Sequence, residues 1–199
     1  MLLMAAHACL LGQAVMSGHV EASSNSVLAS LQTSDAKSKL KTLESKEMHG
    51  CFFSDDGYDC PWTQEEWKRI LDVVIGLASN PHPRVRESVA CYMIISSDAR
   101  VVEPLGRLLM DTDLGVRRVA VRAFLTIGLA EHEDHILRRI EGLLEDEWPS
   151  IRRGAAAALG ANGTQKSLDK LRKAYQHETD QGTRSIMKEA ITGLEGKGN

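Results

Sequence analysis

One step, a hydrophobic residue followed by arginine and then small or apolar residues, returns four times in this chain. It stands in "RVRESVACYMI" at Arg86, "GVRRVAVRAFL" at Arg117, "SIRRGAAAALG" at Arg152 and "GTRSIMKEAIT" at Arg184, at intervals of 31, 35 and 32 residues. One residue before each arginine comes Val85, Val116, Ile151 or Thr183. Three after comes Val89, Ala120, Ala155 or Met187, and seven after comes Met93, Phe124, Leu159 or Ile191. Spacing of i, i+4, i+8 is the apolar face of a helix.

The register persists upstream. Sixteen before the arginines lie Ile70, Val101, Ile136 and Leu168; twelve before lie Val74, Leu105, Ile140 and Arg172. This is a second amphipathic helix. Between the two comes a turn with Asn80, Asp111, Asp146 or Glu178 six before the arginine, and Pro83 and Pro149 stand where a helix opens without needing an N–H. "TQEE" at Thr63 predicts a capping box that starts the array. A helical pair cannot cover its own apolar faces, so a period of this size predicts stacking into an α-solenoid of about four helix-turn-helix units. The last unit is the most polar, as a terminal capping unit should be. No stretch alternates apolar and polar residues long enough for a strand.

The unit resembles a HEAT repeat, in particular the short HEAT-like repeat of phycocyanobilin lyases. "DTDLGVRRVAVRAFLTIG" and "DEWPSIRRGAAAALG" carry the resemblance best: an acidic residue, often a proline, then Val or Ile, then Arg. It covers residues 63–196, about two-thirds of the chain. It implies the fold but leaves function open, because such repeats serve scaffolds, lyases, a hydroxylase and a DNA glycosylase. In the hydroxylase, His-Glu pairs just after the arginine step bind iron. Here those positions read Glu87-Ser88, Arg118-Val119, Arg153-Gly154 and Ser185-Ile186, so no metal or cofactor is expected.

Residues 1–22 read as a candidate signal peptide, an apolar run with a plausible cut after Ala22, although the first lysine is Lys37. The run is too short and interrupted for a stable membrane span. This predicts a periplasmic or secreted protein; a cytoplasmic one is the alternative. Residues 23–62 read as a linker with one weak helix near 35–48, whose only apolar anchors are Leu40 and Leu43. Cys51 and Cys60 bracket "CFFSDDGYDC" and could close a disulfide loop, whereas Cys91 reads as a small buried hydrophobe. Asp55, Asp56 and Asp59 lack the closing ligand of a calcium loop. Residues 197–199 are a tail.

Charge narrows the function. The chain holds 24 basic and 27 acidic residues, and residues 63–199 are neutral, so nothing global draws them to nucleic acid. Arg86, Arg117, Arg152 and Arg184 recur with a turn carboxylate and are expected to form a structural ladder, for which a planar guanidinium is suited. Arg118, Arg122 and Arg153 do not recur in every unit. With Trp148 they are the candidate partner-binding residues, on a shallow basic spot of the second helices. His132 and His135 in "HEDH" read as turn and helix-start residues. No catalytic machinery is legible. The expected function is a non-catalytic scaffold binding another protein. The alternatives are an enzyme or enzyme subunit of bilin-lyase or DNA-glycosylase type, or a nucleic-acid-binding module.

Overall fold

A computed structural model describes residues 24–45, 63–96, 98–129 and 134–197, and within these the chain is all α. The Cys51–Cys60 loop, the candidate signal peptide, the Asp55–Asp59 cluster and His132 lie outside the described residues. The fold is of the α-solenoid class, and it divides into two compact units between Val101 and Val102.

In the first unit, α1 (Ser24–Gln32) and α2 (Ala36–Leu43) precede α3 (Gln64–Gly76) and α4 (Pro83–Ile95). Thr63 and Glu66 form the capping box that opens α3, with the Thr63 N–H on Glu66 Oε2 at 2.8 Å. Pro83 begins α4. Within each pair the helices pack together, and α1 also lies on α3 while α2 lies on α4.

Residues 24–43 therefore depart from the linker reading. They fold as a further helix pair whose Val27, Leu28, Leu31 and Leu43 are buried. Helices of nine and eight residues are too short to hold alone, since isolated helices under ~12–15 residues are marginal in water. Packing against α3 and α4 stabilises them. Asp35 fixes the entry to α2 by accepting the Ser38 N–H at 2.8 Å and the Lys37 N–H at 3.2 Å. The buried Tyr92 hydroxyl donates to the Leu43 carbonyl and ties the pair to α4. Loss of water around the ring pushes the Tyr92 phenol well above its ordinary pKa, so it stays a donor.

The second unit alternates first helices α5 (Val102–Leu108), α7 (Asp134–Gly142) and α9 (Gln165–His177) with second helices α6 (Leu114–Ala123), α8 (Pro149–Asn162) and α10 (Gln181–Lys197). First helices stack in one row, α5 on α7 on α9, and second helices in another, α6 on α8 on α10. The predicted stripe is the core: Val116, Ile151 and Thr183, then Ala120, Ala155 and Met187, are all fully buried. Small residues let the rows approach. A Cβ on Gly154 of α8 would fall 2.6 Å from Val121 Cγ1 on α6. At the C-terminal end Arg172 replaces the apolar residue of the other units and pairs outside the core with Glu195 at 2.7 Å.

Candidate functional site

The turn inside each repeat is built on its first polar residue. The Asn80 side chain accepts the His82 N–H at 3.0 Å, Asp111 the Asp113 N–H at 2.9 Å, and Asp146 the Trp148 N–H at 2.9 Å. These are Asx turns. Glu178 does the same with one more methylene, accepting the N–H groups of Thr179 at 2.9 Å and Asp180 at 2.8 Å.

Such a turn leaves carbonyls pointing inward, and the recurring arginines satisfy them. Arg86 Nη1 donates to the carbonyls of Asn80 at 2.8 Å and Pro81 at 3.1 Å. Arg117 donates to Asp111 at 2.8 Å and Thr112 at 3.2 Å, and Arg152 to Asp146 at 2.8 Å and Glu147 at 3.0 Å. Arg184 reaches Glu178 at 2.9 Å and Tyr175 at 2.7 Å.

In the second unit the other side of the guanidinium crosses to the next repeat. Arg117 Nε meets Asp146 Oδ2 at 3.1 Å, and Arg152 grips Glu178 through both oxygens. The Arg152 fork, helped by the backbone donors, holds the Glu178 carboxyl below the usual carboxylate range. Arg184 instead lies 4.2 Å over the Tyr175 ring.

Sequence reasoning missed one member of this series. Lys39 stands four residues after the cap Asp35, as each arginine stands four after its own helix cap. Its ammonium donates to the carbonyl of Thr33, six residues back, the same offset as every arginine. Lys39 is only 6% exposed. Val27, twelve before it, matches Val74, Leu105 and Ile140. Residues 24–43 are thus one more repeat in the same register, with lysine in the arginine position.

The candidate partner-binding residues fall on two neighbouring helices. Arg118 is exposed on α6, with Arg122 half-buried one turn further on; Arg153 is exposed in the corresponding place on α8. Arg153 Nη2 lies 3.0 Å from Asp180 Oδ1, so its charge is matched by the following repeat. Asp180 also accepts the hydroxyl and N–H of Thr183, both at 2.7 Å, and these bonds, with Arg153, lower its pKa to about 2. Trp148 sits outside this helix-face pair, at the N-cap of α8, where it caps nothing through its ring and is 45% exposed. Met110, at the corresponding turn of the preceding repeat, is 65% exposed.

His135 opens α7 and meets Glu103 of α5 at 2.7 Å, with Arg139 on the same carboxylate at 3.4 Å. Cys91 is half-buried rather than buried on α4. Among the described residues no group of three or more His, Cys, Asp or Glu is placed to hold a metal ion. No helix among them is long and apolar enough to cross a membrane.

Comparisons with known proteins agree with this architecture. The family model for HEAT repeats matches residues 118–192. No curated protein matches the sequence. Among solved structures, an engineered protein is similar with 18% identity and a TM-score of 0.62, over 87% of this chain and 79% of that one. A computationally designed armadillo repeat protein for modular peptide recognition is similar with 16% identity and a TM-score of 0.57, over 84% and 80%. Another designed armadillo repeat protein, in complex with the peptide (KR)4, gives 16% identity and a TM-score of 0.58 over the same shares. At such identities the likeness is one of fold. Residues 118–192 match HEAT repeats, and the fold of the chain is that of a stacked helical-repeat protein.

Proposed function

We propose that this chain is a protein-binding scaffold, with its contact surface on the second helices of the second unit. The observation that carries the reading is the row α6, α8, α10, stacked side by side and offering exposed polar side chains at repeating positions. A surface whose backbone is fixed before binding loses little conformational freedom on contact. The fold shared with designed peptide-binding armadillo proteins supports a polypeptide partner.

Within the row, Arg118, Arg122 and Arg153 favour a partner segment bearing carboxylates, which a guanidinium can hold through two parallel bonds. Asp180 already occupies Arg153, so an incoming carboxylate competes with it or binds beside it. Trp148 and Met110 give apolar area at the adjoining turns. The neutral charge of residues 63–199 speaks against nucleic acid. A periplasmic or secreted location remains part of the proposal, resting on the apolar N-terminal run with its plausible cut after Ala22.

The test is recovery of partners from the chain's own cell extract by the wild type and by the double variant Arg118→Glu/Arg153→Glu. Partners held by the wild type and lost by the variant support the reading. Identical partners for both remove the arginines from the contact surface. Binding that collapses steeply with added salt and survives protease but not nuclease treatment would replace the protein partner by nucleic acid.

A further inference from the structure

Asn162 is the last residue of α8, and Gly163 follows it. Asparagine before glycine is the pairing most open to attack on its own side chain, because glycine has no Cβ to crowd the ring that forms. Gly163 N bonds to Asn162 Cγ, Nδ2 leaves as ammonia, and the cyclic imide adds water and opens to aspartate or isoaspartate. Water is the only co-reactant.

In the folded chain each atom of that step is held elsewhere. Asn162 Nδ2 donates to the Phe124 carbonyl at 2.5 Å and to Ala158 at 3.4 Å. Oδ1 accepts the Leu129 N–H at 3.2 Å, and the Gly163 N–H donates to the Leu159 carbonyl at 2.6 Å. The nucleophile is pinned and the leaving group is anchored. The glycine is also required, since a Cβ there would collide with the Leu159 carbonyl oxygen. The carboxamide clamps the chain leaving α6 to the end of α8.

We propose that Asn162 is a conditional deamidation site, inert while the α6–α8 junction is closed and reactive once it opens. Conversion keeps the junction loose. An ionised aspartate has no N–H to give the Phe124 carbonyl and sets a negative oxygen against it. The dipeptide thus records opening irreversibly.

The experiment ages the full chain in mildly alkaline buffer, native and in urea, and follows each asparagine by peptide mass spectrometry. Asn25, exposed on α1 and followed by serine, is the internal comparison. In urea Asn162 should convert faster than Asn25; in the native chain it should convert roughly a hundredfold more slowly than in urea, as a site that reacts only through local opening does. Similar native and urea rates, or no conversion in urea, overturn the proposal. The Asn162→Asp chain should exchange amides 125–129 roughly tenfold faster than wild type, the effect of one buried bond lost. Unchanged exchange there overturns the claim that conversion loosens the junction.

Discussion

The Arg152 guanidinium meets the Glu178 carboxylate fork to fork, Nε to Oε2 at 2.6 Å and Nη2 to Oε1 at 2.8 Å. The carboxylate is only 1% exposed, and two backbone N–H groups complete its shell. A carboxylate so enclosed depends on its cation, since an uncompensated buried charge is costly. Arg152→Met should therefore destabilise the second unit by about 3 kcal/mol in urea titration. Adding Glu178→Leu should recover part of that loss, because the pair as a whole contributes far less than breaking it costs. A double variant no better than Arg152→Met would show that the carbonyl contacts, not the ion pair, are what Arg152 supplies.

Acid should act at the same place. Glu178 is held below the usual carboxylate range, chiefly by Arg152, and Asp180 is lowered to about 2, chiefly by the Thr183 hydroxyl. As pH falls, the unfolded chain takes up these protons first, near pH ~4. The stability these groups give is thus complete above that range and is lost as pH falls through the folded values, about 2 for Asp180. The thermal midpoint should be level from about pH 7 to about 5 and then drop. Asp180→Asn should flatten the lowest part of the profile; an unchanged slope would remove Asp180 as a contributor.

Much of this fold is legible because period alone exposes it. Val116, Ile151 and Met187 need no alignment to be placed in a core, since any helix with that spacing must cover them. The pair α1–α2 hid for physical reasons. Its helices are short, three of its four buried apolar residues fall in one turn of α1, and lysine replaces arginine at the position that marks the other units. Lys39 is buried and its ammonium satisfies the Thr33 carbonyl, so the rule is kept by chemistry rather than by residue type. The partner-binding candidates were less legible. Arg153 reads as an unmatched cation because Asp180 lies 27 residues away, brought to it by the stacking of α10 on α8.

Tyr92 tests whether the N-terminal pair is a working part of the stack. Its hydroxyl is the described hydrogen bond that joins α4 to the end of α2. Tyr92→Phe keeps the ring and leaves the Leu43 carbonyl without its donor, a loss of about 1–3 kcal/mol for a buried acceptor. Hydrogen exchange should rise over residues 24–43 more than over α3. A uniform rise across the first unit would instead mean that the pair and α3–α4 unfold as one body.

Gly154 offers the sharpest test of row packing, because two effects oppose each other there. Glycine inside a helix is less favourable than alanine by about 1 kcal/mol, so Gly154→Ala should stabilise α8 if nothing were in the way. The Cβ would, however, lie 2.6 Å from Val121 Cγ1, 3.5 Å from Cγ2 and 3.7 Å from Cβ. Val121 is fully buried, and a β-branched side chain has few rotamers to retreat into. Overpacking of this kind costs about 1–3 kcal/mol, so the net change should be destabilising by about 1 kcal/mol. Val121→Ala alone should also destabilise, by leaving a cavity. Together the two should lose less than their sum, since the new methyl enters the space the valine vacates. A stabilised Gly154→Ala, or strict additivity in the double variant, would mean that α6 and α8 do not approach as closely as Gly154 and Val121 require.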